Sequence, residues 1–164
     1  MGVTARVVGA YRGAIGRIAA TRYGSQVFRR VLPPVDRALV RLTKGRANFT
    51  DHVIPTLMLT MTGRRSGRPV EQALCYVRDD AGELVVVGTN WGGADHPLWT
   101  ENLLADADAW VLVRGERTAV RAEPVTGAER DRLYDRFERM AVLYTAYKGR
   151  MGERVPRVFR LVPR

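Results

Sequence analysis

Apolar positions along the chain keep a helical period at first and then change to an alternating one. Val3, Val7, Val8, Tyr11, Ala14, Ile15 and Ile18 fall on one arc at 3.6-residue spacing, with Arg6, Arg12 and Arg17 off it. This predicts an amphipathic helix over 3–20, weakened by Gly9, Gly13 and Gly16. A further helical turn or two is expected over 25–32. A second helix then starts at Pro34, with Val35, Ala38, Leu39 and Leu42 as its stripe and Gly45 at its end. Residues 46–53 read as a loop. From Pro55 the pattern is β. Strands are expected at Leu57–Met61, Ala73–Arg78 and Leu84–Thr89, the last two joined by the turn Asp79–Gly82. Pro97 opens a short helix through Leu104. Trp110–Arg114 and Thr118–Val125 read as a hairpin around Gly115-Glu116. Thr126 and Glu129 have capping-box spacing for a late helix carrying Leu133, Phe137, Met140, Ala141 and Tyr144 on one face. Val155–Val162 is the last strand, with Pro156 near its start.

Hairpin-joined strands pair antiparallel. The expected fold is therefore mainly β (α+β), a small barrel of about six mostly antiparallel strands with N-terminal, inserted and late helices. Length sets one core. Charge then divides the chain. Residues 1–50 hold ten basic side chains against one acid, Asp36, whereas residues 51–164 hold 17 against 16. The reading is a basic helical N-terminal arm over 1–50 and a barrel domain over 51–164. Such an arm suits an anionic partner: a membrane surface, a nucleic acid or an anionic ligand. Its interleaved aromatics, Tyr11, Tyr23, Phe28 and Phe49, are few for base stacking, so nucleic acid is not expected. A single cysteine, Cys75, rules out an internal disulfide and suits a reducing compartment. No run of about 18 apolar residues spans a membrane, and Arg12 and Arg17 interrupt what would be a signal-peptide core. A cytoplasmic protein follows, with the arm able to dock on the inner face of the cell membrane.

The two histidines, His52 and His96, are far apart, and no His/Cys/carboxylate spacing reads as a metal site. There is no Gly-x-Ser-x-Gly elbow, no Rossmann glycine loop and no P-loop. What stands out is the stretch Thr60–Pro69, where Arg64, Arg65, Ser66 and Arg68 lie with two glycines between two β runs. Arginine forks suit phosphate and carboxylate, so this is either an anion clamp at a hairpin tip or a plain solvated turn. The loop Asn90–His96 and the helix start at Pro97-Leu98-Trp99 offer free backbone N–H groups and two indoles. Trp91 and Trp99 are either core anchors or the walls of a flat pocket. Tyr144 and Tyr147 share a face of the late helix, either in packing or against a substrate. Cys75 and Tyr76 point to opposite faces of their strand, so at most one lines a given cavity. Aromatic walls beside a cationic clamp describe a site for a flat molecule with an anionic tail.

Taken in order, Thr60-x-Thr62-Gly63-Arg64-Arg65-Ser66-Gly67-x-Pro69, Val85–Val87 into Asn90-Trp91-Gly92, His96-Pro97-x-Trp99-x-x-Asn102-Leu103, Tyr144-x-x-Tyr147 and Arg154-Val155-Pro156 resemble the deazaflavin (coenzyme F420)-dependent nitroreductase family. The resemblance covers roughly residues 55–162. It implies a split β-barrel and an oxidoreductase (EC 1) that passes a hydride from reduced F420, an 8-hydroxy-5-deazaflavin, to an enone, quinone or nitro compound. It also implies roles for particular residues. Arg64, Arg65 and Ser66 hold the phosphate; Leu74, Thr89, Asn90, Trp91, Pro97, Leu98, Trp99 and Asn102 complete the cofactor site. Tyr144 and Tyr147 serve catalysis, Cys75 and Tyr76 touch substrate, and the protein is a monomer or homodimer. The chain departs from the family pattern at Val70, Ala73, Cys75, Thr100 and Ala141, which puts substrate choice and tail contacts in question. Two other readings compete: a membrane-docked lipid- or fatty-acid-binding barrel, and a flavin mononucleotide-dependent split-barrel oxidoreductase.

Overall fold

Alternation of apolar residues closes six strands on themselves. A computed structural model describes residues 54–164; the helices expected at 3–20, 25–32 and from Pro34, the loop at 46–53 and the arm itself lie outside the described residues. The strands are β1 (Thr56–Thr62), β2 (Pro69–Arg78), β3 (Leu84–Gly88), β4 (Asp108–Val113), β5 (Glu116–Val125) and β6 (Arg157–Pro163). They form a closed barrel in the order β1-β2-β3-β6-β5-β4, every neighbouring pair antiparallel. Among the described residues three α-helices join the barrel: α1 (Leu98–Ala105) between β3 and β4, then α2 (Gly127–Met140) and α3 (Leu143–Arg150) between β5 and β6.

The pleat divides the apolar side chains between two cores. Leu57, Leu59, Met61, Val86, Val111, Val120, Phe159 and Leu161 fill the barrel interior, joined by Trp99 and Leu103 from α1. On the other face of β3, Val85 and Val87 pack with Val158 against Leu133 and Phe137 of α2 and Tyr144 and Tyr147 of α3. β3 is thus buried on both faces, which is why it reads as an unbroken valine run rather than an alternating one.

Four local expectations are corrected. β2 starts at Pro69 rather than Ala73, so the strand leaves the arginine turn directly. The β4–β5 turn is Arg114-Gly115, not Gly115-Glu116; both residues have positive φ, 50° and 87°, as a two-residue hairpin turn of the primed type requires. Thr126 does precede the late helix but makes no side-chain cap bond. The Glu129 carboxylate instead accepts from Arg160 Nη2 at 2.5 Å. Finally, the late helix is two helices: Ala141 is extended, with φ −156° and ψ 128°, and breaks the chain between Phe137 and Tyr144. The Tyr134 hydroxyl donates to the Tyr144 carbonyl at 2.9 Å across this break.

Candidate active site

The arginine turn is built by its own backbone. Gly63 N–H donates to the Arg68 carbonyl at 2.8 Å, and Ser66 and Gly67 N–H donate back to the Gly63 carbonyl at 3.1 and 2.8 Å. Gly67 has φ +64°, where glycine is unstrained. Arg64, Arg65, Ser66 and Arg68 are all exposed. Among the described residues, neither the guanidinium nor the backbone N–H of Arg65 has a hydrogen-bond or ion-pair partner. Arg64 N–H reaches 38 residues along the chain to donate to Asn102 Oδ1 at 3.2 Å. That bond seats the turn on α1, whose Asn102 is buried.

α1 is itself fastened at its start. Thr100 is fully buried; its hydroxyl donates to the Pro97 carbonyl at 2.8 Å and accepts from Arg157 Nη1 at 3.1 Å. Arg157 also pairs with Glu101. That hydrogen bond, with Arg64 adding attraction, holds the Glu101 carboxyl below its ordinary range. A methyl group on Gly88 would lie 2.7 Å from Thr100 Cγ2, so helix and strand end meet with no room to spare.

From Gly88 the chain enters a loop of unusual backbone. Asn90, Trp91 and Gly92 all have positive φ, 48°, 57° and 77°. For a residue as bulky as tryptophan this is a strained conformation. Asn90 Nδ2 donates to the Asp95 carbonyl at 3.0 Å. Half-buried Trp91 meets Tyr147 edge-on, ring centroids 6.1 Å apart, and Tyr147 meets Tyr144 at 5.8 Å. Cys75 packs against this cluster from β2. Burial, and then the Cys75 thiol hydrogen-bonded to it, push the Tyr144 hydroxyl well above its ordinary pKa. Burial does the same to Tyr147, whose hydroxyl has no hydrogen-bond partner among the described residues. A buried donor of that kind is uncommon and calls for an acceptor.

The structure therefore brings together, along one side of the barrel, Arg64, Arg65, Ser66, Asn102, Pro97, Leu98, Thr89, Asn90, Trp91, Tyr147, Tyr144 and Cys75. Leu98 is 71% exposed and open to a ligand. Leu74, Tyr76 and Trp99 stand apart from this row: they point into the barrel interior, where Trp99 packs on Phe159 with ring centroids 5.8 Å apart. Cys75 and Tyr76 indeed take opposite faces. Sequence reasoning gave no role to Arg154 and Arg157, which lie 50 and more residues from the loops they hold. An arginine ahead of a Val-Pro pair was the only local signal.

A concavity of about 410 Å³ opens between the β2–β3 turn and α2, apart from these residues. Five of its charges pair within it: Arg160 donates to Asp79 at 2.6 Å and to Glu129 at 2.5 Å, and Arg136 pairs with Asp80. It is a seam that ties α2 to the barrel.

A closed six-stranded antiparallel barrel bordered by exposed arginines, a half-buried indole and buried tyrosines is a split β-barrel. The family model of the F420H(2)-dependent quinone reductases matches residues 35–161. An F420H(2)-dependent quinone reductase of Mycobacterium tuberculosis (strain ATCC 25618 / H37Rv) is 34% identical over 123 residues, spanning 73% of this chain and 82% of the relative. The solved F420-H2 dependent reductase FDR-A superposes with a TM-score of 0.59 at 24% identity, over 65% of this chain and 93% of that one. A domain-swapped dimer superposes at 0.61 with 23% identity, over 77% of this chain and 96% of that one. The chain belongs to the F420H(2)-dependent quinone reductase family. It is an oxidoreductase, and coenzyme F420 is its cofactor.

The residues present fit such a group. An exposed turn offers an unpaired guanidinium and an open backbone N–H for an anion, and a strained indole-bearing loop lies along the same side. The tyrosine that meets this indole carries a buried hydroxyl with no hydrogen-bond partner among the described residues.

Proposed function

We propose that the protein reduces quinone-type acceptors at the side of the barrel marked by the arginine turn, Trp91 and the tyrosine pair. Arg64, Arg65 and Ser66 hold the cofactor phosphate, and Thr89, Asn90 and Trp91 lie along its ring, with Pro97, Leu98 and Asn102 at the margin. When bound, the cofactor supplies the hydride. The chain's own task is to bind, orient and supply a hydrogen-bond donor. Tyr147 is the donor we assign to the acceptor oxygen, because its hydroxyl, protonated as any phenol is at neutral pH, has no hydrogen-bond partner among the described residues. Tyr144 and Cys75 complete that wall. Enones and nitro compounds present a similar electron-poor acceptor bearing oxygen and are proposed as secondary substrates.

The observation that carries this reading is the Arg64 N–H bond to Asn102 Oδ1. It joins the cationic turn to the helix that follows the Trp91 loop, so clamp and ring wall form one surface. Titration of the protein with F420, followed by cofactor fluorescence, tests it. Micromolar binding is expected, weakened at least about tenfold in the Arg64→Ala/Arg65→Ala double variant, which loses two charge-assisted contacts. Binding of flavin mononucleotide in place of F420, or unchanged affinity in the variant, overturns the assignment. A rate panel with one quinone, one enone and one nitroarene then ranks the acceptors.

The surplus of nine positive charges in residues 1–50 favours docking of that arm on an anionic membrane surface, where apolar quinones dissolve. Co-sedimentation with anionic liposomes, with and without residues 1–50, decides it. Equal binding of both forms ends the idea.

A further inference from the structure

The Gly88–Gly93 loop is held by one side chain from the far end of the chain. Arg154 Nη1 donates to the Gly88 carbonyl at 3.0 Å, Nη2 to the Thr89 carbonyl at 2.6 Å, and Nε to the Gly93 carbonyl at 3.0 Å. Nη1 also faces His96 Nδ1 at 3.4 Å. Three edges of one guanidinium thus grip carbonyls on both sides of the left-handed Asn90-Trp91-Gly92 turn. Burial lowers the guanidinium pKa, and Asp95 on the same loop adds an attraction that offsets this in part. Among the described residues no carboxylate forms an ion pair with it. A partly buried cation is stabilised when its donors are satisfied, here by carbonyl dipoles. Those dipoles are correctly placed only in the strained loop. The geometry points to Arg154 as the positioning residue of the site: it sets the left-handed turn, and through it the wall that Trp91 presents to the cofactor ring.

Lysine cannot replace it. A single ammonium on a flexible stem does not span three carbonyls that a planar fork reaches at once. The loop's own bonds, Gly92 N–H to the Thr89 carbonyl and Gly93 N–H to the Asn90 carbonyl, both at 2.9 Å, close the turn but do not tie it to the rest of the fold.

The inference rests on the reading of this loop as the ring wall, so its test has one arm without cofactor and one with it. In cofactor-free Arg154→Ala, hydrogen exchange at the Gly92 and Gly93 amides should rise about tenfold as the loop opens locally. About 20 mM guanidinium, far below the molar range in which it unfolds proteins, should reverse the change by filling the vacated space. In the loaded enzyme, kcat per folded molecule should fall at least about tenfold through misplacement of the ring. The KM for F420H2 should change much less, because the arginine turn is intact, and guanidinium should restore part of kcat. A purely structural role would lower Tm and the folded fraction but leave kcat per folded molecule unchanged, and that result overturns the inference. So does unaltered amide exchange. Should Arg154→Ala not fold, Arg154→Lys serves in both arms, with exchange and kcat at the wild-type level as the overturning result. Wild-type protein that binds no F420 sinks the ring-wall reading, while the exchange arm still judges Arg154.

Discussion

Under the proposed assignment, Tyr147 carries a conflict between stability and function within one side chain. Its hydroxyl is buried, protonated and without a hydrogen-bond partner among the described residues, and such a group costs about 1–3 kcal/mol. Tyr147→Phe should leave stability unchanged or raise it by about 1 kcal/mol in urea unfolding, while acceptor reduction slows and F420 affinity holds. A parallel loss of stability and rate would make it a packing residue only. His96 makes a pH prediction at the same scale. Burial first, then the charges of Arg157 and Arg154, hold its pKa below the ordinary 6.5. As pH falls through 6.5 the unfolded imidazole takes up a proton that the folded one resists, so the folded state loses stability. Urea unfolding across this range should show a flatter pH profile for His96→Gln than for the wild type. The four residues of the arginine turn were legible in sequence, because glycine and arginine act there through local backbone and exposed charge. The role of Arg154 was not, because its partners are 61 to 66 residues away.

At the scale of elements, the turn after β3 and the break after α2 are the two places where chain direction decides the site. Gly92 has φ +77°, and a methyl group there would lie 3.1 Å from both Tyr147 Cα and Arg150 Cβ. Gly92→Ala should therefore destabilise by about 1–3 kcal/mol and weaken F420 binding, measured by thermal unfolding and titration. The break at Ala141 turns α3 so that Tyr144 and Tyr147 face Trp91 and Cys75. Tyr134→Phe removes the hydroxyl bond that spans it and should cost about 1 kcal/mol, seen as a lower urea midpoint with unchanged slope. Strand positions were read to within a few residues, since alternation marks them directly. The helix break was missed because apolar spacing over 133–144 fits one continuous helix as well as two.

For the molecule as a whole, the barrel interior is the scaffold and its outer margin the proposed working surface. Phe159 is fully buried, packs on Trp99 and so links β6 to α1. Phe159→Ala should cost about 3–5 kcal/mol, measured by denaturant unfolding. α1 should loosen with it, and the Arg64–Asn102 contact too. Arg64→Ala/Arg65→Ala, on an exposed turn, should leave the same unfolding curve nearly in place. The contrast separates damage to the scaffold from damage to the site.

Sequence alone determined the strands, the arginine turn, the uneven distribution of charge and the membership of an F420-dependent family, because periodicity, turn chemistry and motif order are properties of neighbouring residues. Tertiary structure decided which of the candidate residues share a surface. Closure of the barrel turned Leu74, Tyr76 and Trp99 inward and left Cys75, Trp91 and the tyrosines outside. A guanidinium from beyond α3 then took hold of the strained loop beside them. These outcomes depend on the facing of each strand and on contacts across the fold, and side-chain direction across a closed sheet is set only when the sheet closes.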